Sequence, residues 1–168
     1  MAGRMRRATN RSRSTAEPID ALSFGALRSL AENPEASPQT LALLSHDPLL
    51  DVRVAVAWNA GTPATALARL AQGPVEVQTG VAQNMAASAE VLDRLAAHPE
   101  AVVRSAAATN PSLPLPLFDT LSRDADPLVR KHLARNPRAP YGVLVALTHD
   151  PDPEVRRTGE DGVRQWEG

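Results

Sequence analysis

Three kinds of side chain could do chemistry in this chain of 168 residues. The first is a set of acid–arginine pairs six residues apart: Asp47 with Arg53, Asp124 with Arg130, and Asp150 with Arg156. A guanidinium near a carboxylate braces a turn, and an arginine stripe without carboxylates binds phosphates or carboxylates. Arg104 continues the series, but His98 stands in its aspartate slot, with Glu100 nearby as a substitute. In one place both partners are gone, replaced by Gly73 and Gln78. Joint loss marks a structural pair. These seven residues are therefore expected to form a ladder that fixes one unit against the next. The second kind is histidine. His46 and His149 occupy the same slot four units apart. At about 10 Å between packed helices they lie roughly 40 Å apart and cannot share a metal. Neither they nor His98 and His132 come with a nucleophile and an orienting group. There is no cysteine, so thiolate metal sites, iron–sulfur clusters and disulfides are excluded. No catalytic residue, cofactor or metal is expected. The third kind is a scatter of binding residues, Trp58 foremost, whose slots depend on the elements that carry them.

Those elements repeat. Asn33, Asn59, Asn84, Asn110 and Asn136 are spaced by 26, 25, 26 and 26 residues, and the next slot holds Gly162. Val52, Val77, Val103 and Val129 precede their Asn by seven residues, and Val155 precedes Gly162 likewise. An alanine lies two residues before each Asn. Eight and eleven residues after it come Leu41 and Leu44, Leu67 and Leu70, Leu92 and Leu95, Phe118 and Leu121, and Leu144 and Leu147. Such an i, i+3 pair marks one face of a helix. Ser37, Ser88, Pro63, Pro114 and Pro140 stand at its start, as caps or first-turn prolines. An acidic-Pro turn ends it, as at Asp47-Pro48. A second short helix then runs from the Val to the Asn. The Asn is expected to cap it by entering the left-handed region. Thirteen of the fifteen prolines fall in repeat slots, which is why no helix can be long. A unit of 26 residues cannot bury its own apolar face, and stacking buries it.

The recurring pattern N-P-x-x-P-x-x-x-L-x-x-L-x-x-D-P-x-x-x-V-R-x-x-V-A-x-N resembles the leucine-rich-repeat variant family. It is clearest from Asn136 to Arg156 and from Asn33 to Asn59. The D-P…V-R element is also similar to that of HEAT-type helical repeats. The resemblance implies an all-α, right-handed superhelical solenoid of short alternating α and 3₁₀ helices, without sheet. Some members carry a Cys-rich cluster-binding segment, which this chain has no cysteine to build. The family implies no single activity. Residues 18–168 are expected to form about five to six units. Residues 1–17 are expected to be a disordered arm, because Arg4, Arg6, Arg7, Arg11 and Arg13 sit there without apolar periodicity.

Function must then lie in the slots that the scaffold leaves free. The residue before each Asn runs Glu32, Trp58, Gln83, Thr109, Arg135. Five before it the series is Val54, Thr79, Ser105 and Lys131, with Arg157 in the last unit. Trp58 is the best candidate anchor, since tryptophan is enriched in binding hot spots. Lys131, His132, Arg135, Arg138 and Arg157 are the basic candidates, with Arg156 beside them. Trp166 is expected to cap the last repeat. The net charge of −1 provides no global attraction for nucleic acid. These features point to a non-enzymatic scaffold for a protein or peptide partner. The alternative is a nucleic-acid binder that uses the arginine arm and the C-terminal basic patch. With no signal peptide and no apolar stretch of about 18 residues, a cytoplasmic location is expected. Seventeen arginines against one lysine (Lys131) point to a GC-rich, bacterial genome.

Overall fold

A computed structural model describes residues 23–167, so the arginine arm lies outside the described residues. Those residues form eleven α-helices and no strand. Six make one layer: α1 (Phe24–Glu32), α3 (Leu50–Trp58), α5 (Val75–Gln83), α7 (Ala101–Thr109), α9 (Pro127–Ala134) and α11 (Pro153–Glu167). Five make the other: α2 (Pro38–Leu44), α4 (Ala64–Leu70), α6 (Ala89–Ala96), α8 (Leu115–Ser122) and α10 (Tyr141–Leu147). Each helix of the first layer packs broadly on the next in that layer, while second-layer helices meet more sparingly. The chain is a helical-repeat solenoid. Where the family resemblance implies 3₁₀ helices, both helices of each unit are α. The tighter i→i+3 geometry survives at the ends of the second-layer helices, as in Asp47 N–H to Leu44 C=O and Asp150 N–H to Leu147 C=O.

The repeated apolar slots build the core. Val52, Val77, Val103, Val129 and Val155 are fully buried, as are Leu41, Leu67 and Leu92. Phe118 replaces leucine in the eighth slot of the fourth unit and is buried as deeply. Alanines at 57, 82 and 108 are fully buried and let the first-layer backbones approach. Ser37 and Ser88 cap α2 and α6, each accepting from the N–H three residues on. Pro63, Pro114 and Pro140 sit at the N-cap itself rather than inside the helix.

The asparagines do not do what their spacing suggests. Asn33, Asn59, Asn84 and Asn110 are the C-caps of α1, α3, α5 and α7, but their φ lies between −74° and −68° and their ψ between 120° and 124°. Among the described residues no backbone has positive φ. After α9 the cap is Arg135, and Asn136 follows it. The side chain explains the extended backbone. In Asn59, Asn84, Asn110 and Asn136 the Nδ2 donates twice into the preceding unit, to the carbonyl of the alanine and to that of the asparagine. Asn84 reaches Ala57 and Asn59, both at 2.9 Å, and Asn110 reaches Ala82 at 2.7 Å and Asn84 at 3.0 Å. Each Oδ1 accepts from the N–H two residues on, closing the loop locally. A left-handed cap would aim this amide elsewhere. The repeat period is thus held by a continuous ladder of carboxamides.

The last unit departs from this. Gly162 fills the Asn slot, and α11 runs through it for 15 residues. A Cβ at Gly162 would lie 2.9 Å from Leu144 Cδ2, so the glycine permits the helix to lie on α10. Trp166 near its end donates from Nε1 to the Ala139 carbonyl at 3.2 Å and meets Tyr141 edge-on.

Removing a carboxamide strands two inter-unit carbonyls, each costing about 1–3 kcal/mol when buried. Asn84→Ala and Asn110→Ala are expected to lose about 3 kcal/mol each in urea unfolding. Asn33 is exposed, and its Nδ2 bonds no earlier carbonyl among the described residues, so Asn33→Ala is expected to lose under about 1 kcal/mol. Equal losses at all three positions would refute the ladder.

Candidate functional site

The arginines form a ladder, but not within units. Nη1 of Arg53, Arg104, Arg130 and Arg156 donates to the main-chain carbonyls five and six residues back. The aspartate side chain six residues back is not the partner. In Arg104 and Arg130 the guanidinium instead reaches a carboxylate 20 residues further on, in the next unit. Arg104 pairs with Asp124 through Nε at 2.7 Å and Nη2 at 2.9 Å, and Arg130 with Asp150 at 2.7 and 2.8 Å. The aspartate also receives the N–H two residues on, which shapes the turn. His98 takes over that task, its Nδ1 accepting from the Glu100 N–H at 3.0 Å. Glu100 therefore does not substitute for the aspartate. Burial pushes the Asp124 carboxyl up, but the bonds from Arg104 and from the Asp126 N–H prevail and hold it below the usual range. Asp150 is held low by Arg130, against the opposing effect of burial.

Trp58 ends α3 and is 50% exposed. Gly80 on α5 makes room for it and for Ala57, since a Cβ there would sit 2.9 Å from the Ala57 Cβ and 3.1 Å from the indole Nε1. The ring borders a cleft of about 380 Å³ with Arg28, Glu32, Asp51 and Val54. The two variable slots are four residues apart, so they share one face of each first-layer helix. Arg28 and Glu32, which hold them in α1, form an exposed ion pair. Along this face the middle is small: Ser105 is buried and Thr109 turns to the Ala106 carbonyl. Beyond it come Lys131, Arg135 and Arg157.

The basic candidates separate in space. Lys131 pairs with Glu154 of the next unit at 3.2 Å. Arg135 is exposed beside a cleft of about 640 Å³ that also takes in Asp161 and Trp166. Arg157 is exposed on α11. Arg138 lies on the asparagine edge and donates to the Pro111 carbonyl at 3.1 Å. His132 turns inward. Its Nδ1 is buried without a partner, and burial, then Arg135 and Lys131, lower its pKa. It adds no charge to this face at neutral pH.

Sequence reasoning passed over Arg69, which reaches from α4 to Ser45 and the Ala42 carbonyl and so ties the second layer together. Arg94 fills the same slot in the next unit, but the others hold Leu43, Thr120 and Ala146 there, so the slot gives no periodic signal. The 20-residue offset was available, because Gly73 answers Arg53 and His98 answers Gln78. Among the described residues no three potential ligands converge on a metal position, and no helix is long and apolar enough to cross a membrane.

These units have a counterpart among known repeats. Residues 127–152 match the leucine-rich repeat variant family. The matched variant unit runs from α9 through α10 and contains Asn136, the Leu144–Leu147 pair and both Arg130 and Asp150. A solved leucine-rich repeat variant, described as having a novel repetitive structural motif, aligns with 87% of this chain and 72% of its own at 23% identity, with a TM-score of 0.40. A designed armadillo repeat protein aligns with 87% of this chain and 95% of its own at 14% identity, with a TM-score of 0.39. No curated protein matches.

Two outcomes test this geometry. A double-mutant cycle on Arg130 and Asp150 should give a coupling of about 1–3 kcal/mol, against about 0–0.5 kcal/mol for the exposed Arg123–Asp119 pair. On acidification, stability should fall in two separate windows. His132 is neutral when folded and has a lowered pKa, so the unfolded chain takes up its proton first. Its share is complete above pH about 6.5 and is lost as pH falls below that value. The share of Asp124 and Asp150 is complete above pH about 3.8 and is lost as the pH falls from there through their lowered folded values. His132→Gln should flatten the first window only, as read by thermal melts across pH.

Proposed function

We propose that this solenoid is a non-enzymatic scaffold that binds an extended protein or peptide segment along the free face of its first layer. The observation that carries this is the half-exposed Trp58, seated on Gly80 beside Glu32 and Asp51. Asp51 lies on the same cleft, and Glu32 there is already paired with Arg28, so the indole together with Asp51 suits a cationic side chain, which gains from both ring face and charge. Arg135 and Arg157 at the other end suit acidic groups. A segment that is basic at one end and acidic at the other fits this order. The family resemblance points the same way, since such repeats present a continuous surface with no enclosed reaction chamber. The nucleic-acid alternative draws less support. Lys131 is already paired, Arg138 is spent on a carbonyl, and His132 is inside.

Selection of displayed peptides on the intact chain tests the reading. Trp58→Ala is expected to weaken the selected peptides by about tenfold or more, as hot-spot tryptophans do. Arg135→Ala should weaken the same peptides less. Unchanged capture by both variants would place the binding face elsewhere.

A further inference from the structure

The guanidinium of Arg53 is aimed by the backbone alone. Its Nη1 donates to the Asp47 carbonyl at 2.6 Å and the Pro48 carbonyl at 2.8 Å. Arg104 and Arg130 are held in the same way and turn their remaining edge, Nε and Nη2, onto a carboxylate 20 residues on. For Arg53 that position is Gly73, which has no side chain to offer. Among the described residues no hydrogen bond involves Arg53 Nε or Nη2. Arg156 shows that the orientation does not need a carboxylate, because its Nη1 keeps bonds of 2.7 and 2.9 Å to the Asp150 and Pro151 carbonyls. Two nearby groups leave the edge uncontested. Gln78, in the next arginine slot, donates to the Ala71 carbonyl, and the Asp47 carboxylate accepts from the Leu49 N–H within its own turn.

We propose that Arg53 is a carboxylate-binding site that receives an acidic side chain from a bound polypeptide, in the place that Asp124 and Asp150 take in later units. The molecule itself supplies two filled examples of this site, and both hold a carboxylate through the parallel pair of bonds a guanidinium fork offers. Because Nη1 is already fixed, a ligand orders little of the side chain on binding. The site lies near the start of α3, at the turn edge, whereas Trp58 ends the same helix. It stands whether or not Trp58 is the anchor.

The test uses the intact chain with ¹⁵N-labelled arginine, titrated with sodium acetate at constant ionic strength. Arg53 Nε–H is expected to respond with an affinity about tenfold above that of the exposed Arg123, while the filled Arg104 and Arg130 stay unmoved. Gly73→Asp places a carboxylate within the chain, so the Arg53 resonance should shift toward that of Arg104 and lose its acetate response. A Cβ at Gly73 lies 3.1 Å from the Leu70 carbonyl, so folding of that variant is checked first. If it does not fold, Arg53→Lys replaces it. Lysine keeps the charge but lacks the fork, and acetate should then no longer shift the backbone amides of Gln72 and Gly73. An equal response at Arg53 and Arg123, or an acetate response that survives the replacement, would each overturn the assignment.

Discussion

Everything else in the solenoid depends on one carboxamide reaching across one interface. The end of each first-layer helix leaves carbonyls without helical partners, and stacking buries them. Water cannot reach them there, so each needs a donor from the protein. Asparagine brings two N–H groups on one short stem, enough for the two carbonyls exposed by the unit before. Its Oδ1 is then free for the N–H two residues on, and the turn is shaped by the same side chain. Glutamine would set the amide too far out, and aspartate would bring acceptors where donors are needed. The requirement for a fixed reach keeps the units in register despite the 25-residue unit among those of 26.

On the opposite edge the arginines perform a related task with a weaker hold. They also bind carbonyls of the unit's own turn first, and only then reach into the next unit. The order matters energetically. An arginine already fixed by two carbonyls loses little freedom in gripping a carboxylate, and the pairs at Arg104–Asp124 and Arg130–Asp150 are largely shielded from water. Gly73 and Gln78 remove one partner from each of two successive interfaces. The turn edge is therefore stitched in the C-terminal half and open in the N-terminal half, while the asparagine edge is continuous from Asn59 to Asn136 and ends at Gly162.

Much of this was legible in the spacing of residues. The valine, alanine and leucine slots gave the two helices and their buried faces, because burial at a fixed period leaves a periodic trace. The direction of a side chain leaves none. The asparagine at a helix end reads equally well as a left-handed cap, and only the neighbouring unit shows why its backbone is extended. The arginine pairs look local at six residues, yet the carboxylate partner lies 20 residues away, since sequence distance along one chain hides contacts between stacked copies. His132 looked basic by its neighbours. Burial, which no neighbour in sequence reveals, makes it neutral.

The division between fixed and variable slots bears directly on binding. A repeat that meets its packing needs with Asn, Ala, Val and Leu at set positions leaves the outward slots of the first layer without structural duty. Their content can change from Glu32 to Arg135 at little cost to the fold. Trp58 is the informative case, because a half-exposed indole gains less from burial than a leucine in the core, and it lies with Ala57 against Gly80, where a Cβ would come within 2.9 Å of the Ala57 Cβ and 3.1 Å of the indole. Gly80 in mid-helix costs roughly 1 kcal/mol against alanine, and alanine is what the corresponding slots of α3 and α7 contain (Ala55 and Ala106). The slot varies further, to Ser29 in α1 and His132 in α9, so Gly80 answers the close approach of α5 to Ala57 and Trp58 rather than a fixed alanine of the repeat.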